Sequence, residues 1–164
     1  MTSKDAKASA ARREWKSNDS EEAAWQQAVR WLARRERSAS ETKQYLTARG
    51  FAPEVAESVL GRLQQCGYVD DARLAAARAA YWHRRGYGRL RAAADLHARG
   101  VEGAKASRVL DEVFADEEQL ARSVLGVRFS GVPSDARQRA RAYRFLLNRG
   151  FPEGLVVVIL GEAC

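Results

Sequence analysis

Leu46-Thr47-Ala48-Arg49-Gly50-Phe51, Leu96-His97-Ala98-Arg99-Gly100-Val101 and Leu146-Leu147-Asn148-Arg149-Gly150-Phe151 are three copies of one pattern, L-x-x-R-G-[FV], set 50 residues apart. Ten residues past each arginine the register still holds, at Val59-Leu60, Val109-Leu110 and Ile159-Leu160. Self-similarity at a fixed spacing is the mark of a tandem array. The pattern has a physical meaning. A glycine just past the last helical residue takes the left-handed conformation that stops a helix, and the apolar residues flanking it touch across the stop. With Gly50 just past the end, Leu46 and Phe51 are that pair. Leu96 with Val101, and Leu146 with Phe151, repeat it. Arg49, Arg99 and Arg149 then fall on the last helical position, where positive charge suits the helix dipole or can reach a partner.

Working outward, each pattern ends one helix and precedes another. Pro53 and Pro152 fit a first helical turn, while Glu102-Gly103 is a weaker start. Ser38-Ala39-Ser40-Glu41 is an S-x-x-E capping box; Gly88 holds the matching place in the second repeat. Pro133-Ser134-Asp135 starts the third about a turn earlier. A further helix precedes each of these. Trp25, Ala28, Val29, Leu32 and Ala33 lie on one apolar face, as do Leu74, Ala77, Tyr81 and Trp82, and more weakly Leu120, Val124 and Val127. Asp19 or Ser20, Asp70 and Asp116 are the expected caps. The spacing predicts nine helices, near 20–36, 39–49, 53–65, 71–85, 89–99, 102–114, 117–129, 134–149 and 152–162. No stretch alternates long enough for a strand. The reading is all-α: an elongated array of three-helix repeats at 19–69, 70–115 and 116–164, behind a disordered tail at 1–18.

Composition agrees with helices and a packed core. Of 164 residues 46% are hydrophobic, and only three are proline. Cys66 and Cys164 stand far apart with no metal-type spacing, as in a reduced cytosolic protein. Residues 1–10 are polar, so no secretory signal is expected. The apolar run Leu155–Leu160 is far short of the roughly 20 residues a membrane helix needs.

Charge carries the functional signal. Lys and Arg total 28 against 21 Asp and Glu, a net of +7, which suits a polyanionic partner or a merely solvated surface. The charge is blocked. Residues 72–100 carry seven arginines against Asp95 alone, a net of +6; 101–118 carry a net of −4; 122–149 carry seven arginines against Asp135, again +6. Arg84-Arg85-Gly86-Tyr87-Gly88-Arg89 is the densest cluster. It joins arginines, an aromatic ring and glycines expected to be flexible, a combination able to grip phosphate and stack on a base. Arg137, Arg141 and Arg144 share one helix face. The candidate contacts are Arg84, Arg85, Tyr87, Arg89, Arg91, Arg99, Arg137, Arg141, Arg144 and Arg149.

No catalytic or metal constellation emerges. His83 and His97 lack partners for a triad or ligand set, and no phosphate-binding or hydrolase motif appears. Asp70-Asp71 falls at a predicted helix start, where carboxylates cap. The chain is expected to be no enzyme and to use no cofactor.

These residues together resemble the RecX family. Gly67-Tyr68-Val69-Asp70-Asp71-Ala72-Arg73 is similar to its G-Y-[LVI]-D-D-x-R segment. Arg85-Gly86-Tyr87-Gly88, followed by Arg91, Leu96 and Arg99-Gly100-Val101, resembles its basic G-x-G segment. Phe145-Leu146-Leu147-Asn148-Arg149-Gly150-Phe151 matches F-L-x-x-R-G-[FY], and Arg37-Ser38 with Glu41 and Leu46 resembles the family's opening pattern. The likeness spans about residues 22–162. It departs at Leu74, where an aromatic is usual, at Arg89, where proline is usual, and at Ala92, where a larger aliphatic is usual. The resemblance implies a monomeric, cytoplasmic regulator. It would bind a RecA-type recombinase filament on DNA and inhibit strand exchange, ATPase and coprotease activities. An independent arginine-rich DNA-binding module is the alternative.

Overall fold

The computed structural model describes residues 21–161. The tail at 1–18, the caps Asp19 and Ser20, and Cys164 lie outside them. Among the described residues the chain is all-α. Its helices are α1 (21–32), α2 (Ala39–Ala48), α3 (Pro53–Gln65), α4 (Asp71–Arg84), α5 (Arg89–Ala98), α6 (Ala104–Val113), α7 (Glu117–Phe129), α8 (Ala136–Asn148) and α9 (Glu153–Leu160). None is long and apolar enough to cross a membrane.

The repeated pattern closes helices as its chemistry requires. At the end of α2, the Phe51 N–H donates to the Leu46 carbonyl and the Gly50 N–H to that of Thr47, with Gly50 at φ 89°. Val101 to Leu96 with Gly100 to His97, and Phe151 to Leu146 with Gly150 to Leu147, repeat this double bond. The same closure ends α3 at Gly67 and α4 at Gly86, outside the repeated pattern.

Starts follow side-chain chemistry less uniformly. The Ser38 box forms in full: Ser38 Oγ accepts from the Glu41 N–H and Glu41 Oε2 from the Ser38 N–H, both at 2.9 Å. Asp135 caps α8 at the Gln138 N–H, so that helix begins at Ala136. Pro53 is the first residue of α3, whereas Pro152 sits one place earlier, as the N-cap of α9. Two carboxylates expected as caps act elsewhere. Asp116 precedes α7 without capping it and meets His83 Nε2 at 2.9 Å. Asp71 accepts from the Ala39 N–H at 2.8 Å, satisfying a first-turn donor of α2. α1 stops at residue 32 rather than 36, because the chain tightens into a turn (Arg34 N–H to the Trp31 carbonyl) ahead of the Ser38 box.

The chain divides into two compact units, one ending at Asp71 and the other beginning at Ala72. The first holds a core of Ala24, Ala28, Leu32, Leu46, Val59, Leu63 and neighbours from α1–α3. The second holds two clusters, one on α4–α6 around Ala79, Leu96 and Leu110, the other on α7–α9 around Leu125, Leu146 and Phe151. Leu46, Leu96 and Leu146, at equivalent repeat positions, are each at most 1% exposed. Three expected faces need correction. On α1, Ala33 lies past the helix end and is exposed. On α4 the buried residues are Leu74, Ala75 and Ala79, with Ala77 outside. On α7 they are Ala121 and Leu125, while Val127 is 89% exposed. Ala77 and Val127 each stand two residues from a buried one, about 200° round the helix, and so point outward.

Candidate functional site

Arg84-Arg85-Gly86-Tyr87-Gly88-Arg89 leaves α4 and enters α5 as a fixed bend, not a flexible one. Gly86, at φ 74°, closes α4, with the Tyr87 N–H on the Trp82 carbonyl at 3.0 Å. The bend then docks on the end of α8. The Gly88 N–H donates to the Arg149 carbonyl and the Leu90 N–H to the Gly150 carbonyl, each at 2.9 Å. Backbone meets backbone so closely that a Cβ on Gly88 would lie 2.4 Å from the Gly150 oxygen, and one on Gly150 would lie 2.5 Å from the Arg91 nitrogen. These glycines stand where no side chain fits.

Arg149 locks the joint. Its guanidinium donates to the Arg85 carbonyl at 3.2 Å and the Gly86 carbonyl at 3.0 Å, satisfying the open end of α4. Its plane lies 4.9 Å from both the Tyr87 and Phe145 rings. The side chain is therefore a structural clamp, the capping alternative realised on a neighbouring helix rather than its own.

Around the clamp, arginines and rings alternate. Trp82 meets Tyr81 and Tyr87 edge-on, each at 5.1 Å. Arg85 covers Tyr81 at 5.2 Å and Arg91 covers Trp82 at 4.8 Å. Phe145 meets Phe129 at 5.5 Å. A guanidinium stacked on a ring spends its face and keeps its in-plane N–H donors for a phosphate or carboxylate. Arg84, Arg85 and Arg91 are exposed, and no carboxylate among the described residues pairs with them.

Other candidates are diverted inward. The acidic stretch folds onto the basic one. Arg89 pairs with Asp111, and its backbone N–H donates to Glu117 Oε1 at 2.6 Å, a bond proline could not make. Burial, outweighing the Arg89 N–H and charge, pushes the Glu117 carboxyl above its ordinary value. Arg99 reaches Asp95 at 3.4 Å, and Arg78 meets the same carboxylate at 2.7 Å. Burial of Asp95 works to raise its carboxyl, but the Arg78 hydrogen bond and the Arg78 and Arg99 charges hold it below the ordinary value. Arg137, Arg141 and Arg144 are exposed along α8, with no ion pair and no cation–ring contact among the described residues. Arg139 turns back onto the Pro133 and Ser134 carbonyls.

Of the ten candidates, the fold thus gathers Arg85, Tyr87, Arg91 and Arg149 at one place, with Arg84 exposed at the end of α4 beside them. Arg78, Tyr81, Trp82 and Phe145 belong with them and were missed. Their signal was present, arginines one helical turn from aromatics on α4, but it was read as a core face. No group of His, Cys, Asp or Glu among the described residues could hold a metal.

The fold and the arginine-edged site define a class: an all-helical protein of three-helix units with arginines set against aromatic rings. The model of the first three-helix domain of RecX matches residues 24–63. The chain is 36% identical over 126 residues to the regulatory protein RecX of Pseudomonas syringae pv. tomato, covering 76% of this chain and 81% of that one. It is 40% identical over 124 residues to its counterpart in Chromohalobacter salexigens, covering 76% and 82%. A crystal structure of RecX from Lactobacillus salivarius superposes with a TM-score of 0.73 at 16% identity, over 89% of this chain and 97% of that one. The chain belongs to the RecX family.

Proposed function

We propose that this chain is a cytoplasmic, non-enzymatic, monomeric regulator that binds a RecA-type recombinase filament on DNA. There it inhibits strand exchange, ATPase and coprotease activity in recombination, repair and the SOS response. The three-helix segments 19–69, 70–115 and 116–164 are its working parts, and no cofactor takes part. The observation that carries the reading is the exposed cationic edge of Arg84, Arg85 and Arg91, in which Arg85 lies over Tyr81, Arg91 lies over Trp82 and none of the three pairs with a carboxylate among the described residues. Held against rings, the Arg85 and Arg91 guanidiniums meet a polyanion at small entropic cost. The test is the triple variant Arg84→Glu, Arg85→Glu, Arg91→Glu, checked for an unchanged melting transition. Filament binding and ATPase inhibition should weaken at least tenfold. Unchanged inhibition by the folded variant would remove this face from the contact.

A second reading has its own observation. Arg137, Arg141 and Arg144 form an exposed, unpaired row on α8, which suits docking along a duplex backbone. Steeply salt-dependent binding to naked duplex, with no effect on the recombinase, would favour it.

A further inference from the structure

The first unit contains a second arginine and aromatic assembly, which the sequence reading passed over. Trp31 of α1 and Tyr45 of α2 stack face to face, centroids 4.2 Å apart and planes 7° from parallel. Arg37 covers the far face of Trp31 at 4.4 Å, and Arg49 covers that of Tyr45 at 4.9 Å. Beside this pile runs an open groove of about 340 Å³ lined by Gln27, Arg30, Trp31, Arg34, Tyr45 and Arg49.

The charges are unevenly satisfied. Arg37 has Glu41 at 3.8 Å. Arg30, Arg34 and Arg49 are exposed and pair with no carboxylate among the described residues. Three uncompensated guanidiniums on one small groove call for an anion. Gln27 lines the groove beside them.

We propose that this groove binds a single-stranded nucleic-acid segment, with phosphates on Arg30, Arg34 and Arg49 and a base on the Tyr45 ring. The Tyr45 face decides between a nucleotide and an acidic peptide. Base stacking on an exposed ring is a stronger contact than an exposed cation over the same ring. A base therefore displaces Arg49 from Tyr45 and frees its donors for phosphate. A carboxylate side chain has no face to stack. This site does not depend on the filament reading, because its ligand is free strand without recombinase.

The test uses the full chain and a fluorescein-labelled thymidine oligonucleotide, followed by anisotropy across salt concentrations. Arg30→Ala, Arg34→Ala, Arg49→Ala together should weaken binding about tenfold and lower the log–log salt slope by about 2, from three lost phosphate contacts on a single strand. An abasic strand of equal length should bind more weakly than the oligonucleotide, since it has no base to stack on Tyr45. Ultraviolet cross-linking of the unaltered chain to a 4-thiothymidine strand should mark the Trp31 or Tyr45 peptide, a readout that needs no variant to fold. A folded triple variant with the unaltered slope, cross-links confined to residues beyond 71, or displacement of the strand by poly-glutamate at equal charge would each overturn the proposal.

Discussion

Arg149 and Arg49 hold the same place in the repeated pattern and do different work. The Arg149 guanidinium makes two hydrogen bonds to carbonyls and contacts two rings. Arg49 is exposed and rests on Tyr45 alone. Hydrogen bonds from a charged donor are worth about 1.5–3 kcal/mol, and an exposed cation over a ring about 0.5–1 kcal/mol. Arg149→Ala should therefore lose about 2–4 kcal/mol in urea unfolding and Arg49→Ala under about 1 kcal/mol; equal losses would refute the clamp. Asp95 supplies a pH test. Its carboxyl is depressed in the folded chain relative to the ordinary 3.8. Its contribution is thus full above that value and lost as pH falls through the lower folded value. Asp95→Asn should be less stable than the unaltered chain at pH 7, with the difference shrinking below about pH 4. Glu117 works with the opposite sign. Its raised carboxyl means that stability falls as pH climbs from the ordinary 4.5 through the folded value. Neither carbonyl that Arg149 satisfies was legible in the sequence, since Arg85 and Gly86 lie 64 and 63 residues away and no local pattern links them.

At the scale of the helix, the closures were legible because each is a local event: a glycine, a leucine four residues before it and an apolar residue after it. The three Schellman ends follow from those residue types alone. What the motif could not reveal is which closure bears a neighbour. Gly50 has open space around a built Cβ, whereas Gly150 has the Arg91 backbone against it. Gly50→Ala should then cost about 1–2 kcal/mol, from left-handed strain. Gly150→Ala should cost that plus about 1–3 kcal/mol of overpacking, and Gly88→Ala, without the strain, about the overpacking alone. Thermal melts of the three variants give the ranking, and a Gly150→Ala melt no lower than that of Gly50→Ala would contradict the close approach. Caps were less legible than stops. Asp71 and Asp116 have the right residue type in the right place, yet each finds a distant partner, Ala39 and His83.

For the chain as a whole, the blocks of charge were visible in the sequence and their fate was not. The acidic stretch withdraws Arg89 and occupies His83, which leaves Arg84, Arg85 and Arg91 as the cationic edge. The sequence weighted the basic blocks of residues 72–149 and overlooked the Trp31–Tyr45 groove, because Trp25, Ala28 and Leu32 drew α1 into the core reading. The central claim is that the chain acts on a recombinase filament rather than on DNA alone. Its most direct test is co-sedimentation with RecA-type filaments on single-stranded DNA, with naked strand as control and filament ATPase read in the same samples. The account predicts tighter binding to the filament than to the strand, with ATPase falling as the chain binds. Equal binding to both, with ATPase unchanged, would contradict it.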